Sequence, residues 1–278
     1  MNATAEAVVS APEPNMVRMT ITPAQAANWL EHANNHNRSV SDRVVQQYAR
    51  DIKAGRWHLT HQGIAFDPRG NLLDGQHRLW AVVEAGVPVE MHVWFNVASV
   101  AQMVTDVGRI RRLADNLRLG GGLPNAGTNE LACLRAMLGR GNCPPLTPEE
   151  ARQAMERHGE AVAFATEHLA PIKQRGILTA EVRAVVARAW YSADLARLKQ
   201  FCEVLRTCVV EEPAAKTVIL LRTFLGTRGG GGATVRQERY GKTERALAAY
   251  LQGQEPLVRL HGMAEELFPL PEEEKVSK

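Results

Sequence analysis

The sequence predicts an α/β (α+β) unit over residues 19–118 followed by an all-α domain over residues 128–262. Three observations predict it. Strand-like and helix-like segments alternate up to Val97, a glycine run at Gly120-Gly121-Gly122 interrupts the pattern, and only amphipathic helical segments follow. Residues 119–127 then read as a linker. Residues 1–18, rich in Ala, Pro, Glu and Asn, and the acidic stretch 263–278 are expected to be disordered tails.

The first unit opens on a short strand at residues 19–21, and Thr22-Pro23 supplies a helix N-cap and a first-turn proline. Ala26, Ala27, Trp29, Leu30 and Ala33 then recur at helical spacing. Residues 34–38, Asn-Asn-His-Asn-Arg, break that helix, and Ser41-Asp42 starts another that runs through Val44, Val45, Tyr48 and Ile52 to Gly55. Residues 57–59 and 63–66 read as strands. Asp67-Pro68-Arg69-Gly70 is a turn that sends residues 71–73 back antiparallel. A helix from Gln76 buries Leu79, Val82 and Val83 and stops at Gly86, and a strand continues from Val89 through Met91, Val93 and Phe95. In the second domain helices are predicted over 128–138, 147–158, 160–169, 179–191, 194–208 and 214–225. Thr147-Pro148-Glu149-Glu150 forms a capping box.

A net charge of +3 carries no polybasic footprint for nucleic acid, although a locally basic face is compatible with it. Cys133, Cys143, Cys202 and Cys208 lie too far apart for a zinc knuckle or a disulfide framework and read as buried free thiols. Nothing resembles a signal peptide or a membrane span, so a cytoplasmic protein without membrane contact is expected.

The chemistry concentrates at Asp74-Gly75-Gln76-His77-Arg78, five consecutive residues with no apolar member between two apolar runs. A strand meets a helix there. Asp74 is expected to cap the first turn, Gly75 to let the backbone turn sharply and approach a ligand, and the remaining amides to face an anion. His77 and Arg78 add donors. The plainer alternative is ordinary helix capping with Arg78 as a solvated surface charge.

Together with Trp57, His61-Gln62-Gly63 and the turn at 67–70, this motif resembles the ParB/sulfiredoxin superfamily, most of all the ParB-like proteins of phages and mobile elements. The resemblance covers roughly residues 19–118 and implies a ParB/sulfiredoxin-like fold. It implies that Gly75, Gln76, His77 and Arg78 hold nucleotide phosphates, with Asn37 and Arg38 as a second wall. His61 and Gln62 either face the same ligand or form a surface turn. Asp74 and His77 are the candidate catalytic groups, and Asp74 is the candidate metal ligand. The expected cofactors are a nucleoside triphosphate and Mg2+, which binds through few carboxylates plus the phosphates. No cysteine stands beside the motif, which argues against sulfinic acid reduction.

Downstream, Arg109, Arg111 and Arg112 make a candidate phosphate or nucleic-acid contact, or else a solvated helix start. Phage-type look-alikes carry Asp-x-Gly-x-x-Arg here, usually with Thr second; Val107 fills that place. The glycines at 229–232 with Gly241-Lys242-Thr243 fail the spacing of a phosphate loop and read as a flexible loop. Around them Lys216, Arg222, Arg228, Arg236, Arg239, Lys242 and Arg245 are candidates for a basic face. The functional expectation is a ParB-like nucleotide-binding protein of phage or plasmid DNA metabolism, a nucleotide hydrolase or phosphotransferase if it turns over. The alternatives are a DNA-binding protein or nuclease using the same rim and a non-catalytic adaptor. Nucleotide, DNA and a second copy of the chain are the candidate partners.

Overall fold

The computed structural model describes residues 12–34, 37, 39–103, 113–119, 123, 126–140, 142, 145–170, 176–227, 230–262 and 265–271. Contacts divide the chain into two compact units, residues 1–111 and 112–278.

Among the described residues the first unit is a four-stranded mixed sheet carrying three α-helices. Strand β1, Asn15–Ile21, starts inside the segment expected to be a tail, because all seven of its residues pair with β4, Val89–Phe95. Thr22 caps α1, Pro23–His32, through its hydroxyl, which accepts the Gln25 N–H at 3.2 Å. Helix α2, Asp42–Lys53, follows. Residues 57–59, expected as a strand, pair with nothing; Trp57 instead packs edge-to-face on Tyr48 of α2 at 5.7 Å.

Strands β2, Ile64–Phe66, and β3, Leu72–Asp74, form the expected hairpin, and α3, Gln76–Ala85, leads to β4. The sheet order is β1-β4-β2-β3, with β2 parallel to β4 and the other pairs antiparallel. Ser99–Met103 adds a short 3-10 turn. Along β4 burial alternates. Val89, Met91 and Val93 join Ile21, Ile64, Leu30, Leu79 and Val82 in the core under the helices, while Glu90, His92 and Trp94 face outward. Each fully buried side chain of this size contributes about 1.5–3 kcal/mol relative to leaving it exposed.

The second unit is all-helical among the described residues: α4 Leu113–Leu119, α5 Thr128–Gly139, α6 Pro148–Leu169, α7 Ala180–Ala189, α8 Leu195–Thr207, α9 Ala215–Thr227 and α10 Ala233–Leu251. Helix α7 is buried along its whole length and is the axis of the bundle, against α5, α6 and α10. The two helices expected over 147–158 and 160–169 are one. Gly159 costs about 1 kcal/mol in a helix interior, but the Thr147–Glu150 capping box and burial of Met155, Ala161 and Val162 on either side carry the helix through it.

Helix α10 lies where only a loop and a basic cluster were expected. Gly241-Lys242-Thr243 sits in the middle of it, so it forms no phosphate loop. Residues 265–271, expected in a disordered tail, are docked: Phe268 is buried, its carbonyl accepts from Arg188 Nε at 2.7 Å, and the Leu267 N–H donates to Glu244 at 3.1 Å. No helix among the described residues is long and apolar enough to cross a membrane.

Candidate functional site

The turn between β3 and α3 is built on close backbone approach. Gly75, not Asp74, occupies the N-cap position, at φ 100° and ψ 7°, and its carbonyl accepts the N–H groups of Arg78 and Leu79 at 3.0 Å. A left-handed φ favours glycine. Space requires it as well, since a Cβ on Gly75 would stand 2.5 Å from Ile64 Cδ1 and 3.2 Å from the Gly63 carbonyl oxygen. Gly63 is equally constrained, with a Cβ falling 1.9 Å from the His92 carbonyl oxygen. Two glycines thus bring the start of α3, the entry to β2 and the middle of β4 into one small space.

The Asp74 carboxylate does not reach the first turn as expected; its Oδ1 accepts the N–H of Gly75 at 2.6 Å. A register slip sets its direction. Phe66 pairs with Leu72 and Ala65 with Asp74, so β3 advances two residues while β2 advances one. Leu72 therefore stays in the core, and Asp74 emerges beside Ala65 on the outer face, its side chain 44% exposed. Bulges of this kind commonly re-aim a side chain next to a site.

Arg78 is the most constrained of the expected phosphate ligands. Its Nη1 donates to the Gly63 carbonyl at 2.9 Å and lies 3.5 Å from Asp74 Oδ2, and its Nη2 donates to Gln62 Oε1 at 3.0 Å. The side chain is only 14% exposed. Arg78 is thus no freely solvated charge; it fixes the 62–63 loop to the helix start. Gln62 reaches the site through this contact, whereas His61 is simply exposed.

His77 is occupied in a different way. Its Nε2 accepts the backbone N–H of Ser41 at 3.0 Å, which makes that nitrogen the unprotonated one. In this arrangement Nε2 ties the first turn of α3 to the start of α2. Buried Gln76 accepts at Oε1 from Asn34 Nδ2 at 3.5 Å; Asn37 Nδ2 donates to Asn34 Oδ1 and to the Leu72 carbonyl, both at 2.7 Å. Asn37 therefore joins the site by bracing β3 from the α1–α2 connection. Arg38, Arg109, Arg111 and Arg112 lie outside the described residues.

The Ser41–His77 bond joins the N-terminal ends of α2 and α3, the positive poles of two helix dipoles, with Arg78 in the first turn of α3; Asp42 in the first turn of α2 and Asp74 beside Arg78 offset part of that charge. Among the described residues no group of three His, Cys, Asp or Glu side chains could hold a metal ion by itself. A supporting carboxylate sits nearby. Burial pushes the Asp67 carboxyl up, but hydrogen bonds from the Asn71 side chain and N–H, the Arg69 N–H and the Ser99 hydroxyl outweigh it and hold the group below its ordinary range. This locks the hairpin turn that delivers Asp74.

Three of the candidate basic-face residues are tied to the helical unit's own groups, and a fourth is buried. Arg239 is buried, Arg222 donates to the carbonyl of Leu205, Arg236 donates to that of Gly231, and Lys242 pairs with Glu238 at 2.8 Å over the Phe224 ring. Arg228 lies outside the described residues. Cys133 and Cys202 are buried thiols pushed up to about 12 by that burial, but Cys208, at a left-handed helix end, is exposed.

Ser41, Asn34, Asp67, His92 and Trp94 belong to the neighbourhood and were not singled out. One signal was available: strict alternation over Val89–Phe95 puts His92 and Trp94 on the polar side of a strand, an unusual place for a large indole. Comparison of the chain with protein-family models, with curated proteins and with solved structures returns no match.

Proposed function

We propose that the first unit is a ParB/sulfiredoxin-like domain that holds the phosphates of a nucleotide at the start of α3, in phage or plasmid DNA metabolism. The observation that carries the reading is the convergence at Ser41–His77 of two helix N-termini beside a nearly buried arginine. Helix N-termini offer amides and a positive dipole to anions, and an arginine fork matches phosphate oxygens. Arg78 is pre-positioned by Gly63 and Gln62, so little side-chain entropy is lost when an anion arrives.

A single half-exposed carboxylate suits Mg2+, which takes most of its ligands from water and phosphate. In this reading Asp74 contributes one oxygen, and the metal would neutralise phosphate charge. Asp74 also limits bare anion binding, so phosphate and Mg2+ are expected to bind together.

The test is calorimetric titration of ATP, CTP, GTP and UTP, each with Mg2+, into the wild type and Arg78→Lys, which keeps the charge and loses the fork. Binding of one nucleotide that weakens at least tenfold in the variant, with the ligand-free melting temperature recorded separately, supports the reading. No binding of any of the four to the wild type overturns it.

A further inference from the structure

The outer face of the sheet continues the phosphate site as a slot. Register places Met16 beside Trp94, Trp94 beside Ala65 and Ala65 beside Asp74, a row across all four strands on the side away from the helices. Adjacent strands lie about 4.8 Å apart. Trp94 and Asp74 therefore stand about 10 Å apart with one methyl group between them, and strand side chains project roughly perpendicular to the sheet. Beside this row Gly63 lies directly against β4, since a Cβ on it would stand 1.9 Å from the His92 carbonyl oxygen, and so closes that end of the slot.

The floor is thus Ala65, one wall is Trp94, and the other is Asp74 with Arg78 beside it. The closed end and the second wall are held in place. His92 Nδ1–H donates to the Thr60 carbonyl at 2.8 Å, and Arg78 bonds the Gly63 carbonyl. Trp94 is 38% exposed, and Met16 is exposed beside it. A tryptophan left standing on the polar side of a strand presents an apolar face that would gain by being covered.

We infer that this slot holds the base of the bound nucleotide, stacked on the Trp94 indole; the inference rests on the nucleotide reading of the α3 start. The occupant follows from continuity. The slot's far wall is the Asp74–Arg78 turn itself, so among the described residues of the unit a planar ring covalently joined to phosphates at that turn enters the slot without crossing another strand of the sheet. Base–aromatic stacking tolerates any base because every base has a π-face, so Trp94 supplies affinity for the nucleoside part and does not select among bases.

The experiment compares equilibrium binding of inorganic tripolyphosphate and of the best-binding nucleoside triphosphate, both with Mg2+, to the wild type, Trp94→Ala, Trp94→Phe and Ala65→Leu. Both positions lie on the outer face, away from the core. The wild type is expected to bind the nucleotide more tightly than tripolyphosphate. Trp94→Ala should lose about ten- to a hundredfold on the nucleotide, the range of one stacked base, and nothing on tripolyphosphate. Trp94→Phe should keep most of the affinity, and Ala65→Leu, which fills the floor, should behave as Trp94→Ala. Equal nucleotide affinity in the wild type and Trp94→Ala would overturn the stacking inference while leaving the phosphate site standing. Failure of the wild type to bind either ligand would overturn the phosphate site and the slot with it.

Discussion

The backbone N–H of Ser41 donates to Nε2 of His77 at 3.0 Å, joining the N-cap residue of α2 to the first turn of α3. Ser41 makes no side-chain cap, so this bond takes the place of one. His77→Ala removes the acceptor at an exposed backbone N–H that water can reach, so the loss of stability is expected near the usual 0.5–1.5 kcal/mol of a hydrogen bond, measured by urea denaturation. Nucleotide affinity should fall by more than this, because the two helix starts lose their alignment. A variant with unchanged affinity would remove the α2 start from the site.

What was legible in the chain was whatever depends on neighbours in sequence. Thr22-Pro23, Thr147 to Glu150 and Asp194 announce helix starts because capping needs only residues within one turn. The Asp67–Gly70 turn is local in the same sense. By contrast, the register slip that turns Asp74 outward, the close approach of Gly63 to His92 and the Ser41–His77 bond all arise where separate elements meet in space. No spacing rule reports them. Helix α10 was hidden for another reason: Arg239 and Glu244 are buried in it, and buried charges erase the apolar period by which helices are recognised.

Gly75→Ala combines a left-handed φ of 100° with a Cβ 2.5 Å from Ile64 Cδ1 and 3.1 Å from Ile64 Cα. The Cδ1 atom can swing away, but the Ile64 backbone cannot. A destabilisation on the order of 2–4 kcal/mol is expected. Gly86 is the matched control, since it has φ 69° at the other end of the same helix and nothing within 4 Å of a Cβ. Gly86→Ala should cost about 1 kcal/mol. Equal costs at the two positions would show that Gly75 is demanded by φ alone.

Asp67 makes the hairpin turn acid-sensitive. Its folded carboxyl titrates below the unfolded value of about 3.9, so its contribution is fully present above that value and is lost as pH falls through the folded pKa. Stability measured by denaturant between pH 6 and pH 2 should therefore decline below about pH 4. Asp67→Asn should be less stable at neutral pH, where the carboxylate otherwise accepts four hydrogen bonds, and should show a shallower decline in acid. Parallel curves for the two proteins would assign the acid sensitivity to other carboxylates.

Arg188 closes the helical unit over its C-terminal segment. The guanidinium is buried in α7, donates from Nε to the Phe268 carbonyl and from Nη1 to the Met137 carbonyl, both at 2.7 Å, and pairs with Glu266. Arg188→Met keeps much of the volume but removes the donors to both carbonyls, and the half-exposed Glu266 can turn to water. Leaving two carbonyls without donors costs on the order of 2–5 kcal/mol, and segment 265–271 should become the first site cut by limited proteolysis. If the variant keeps both its stability and its resistance to cleavage, the segment is held by the burial of Phe268, by Glu244 and by the Arg140 bond to the Glu265 carbonyl, and Phe268→Ala, at about 3–5 kcal/mol, becomes the substitution that releases it.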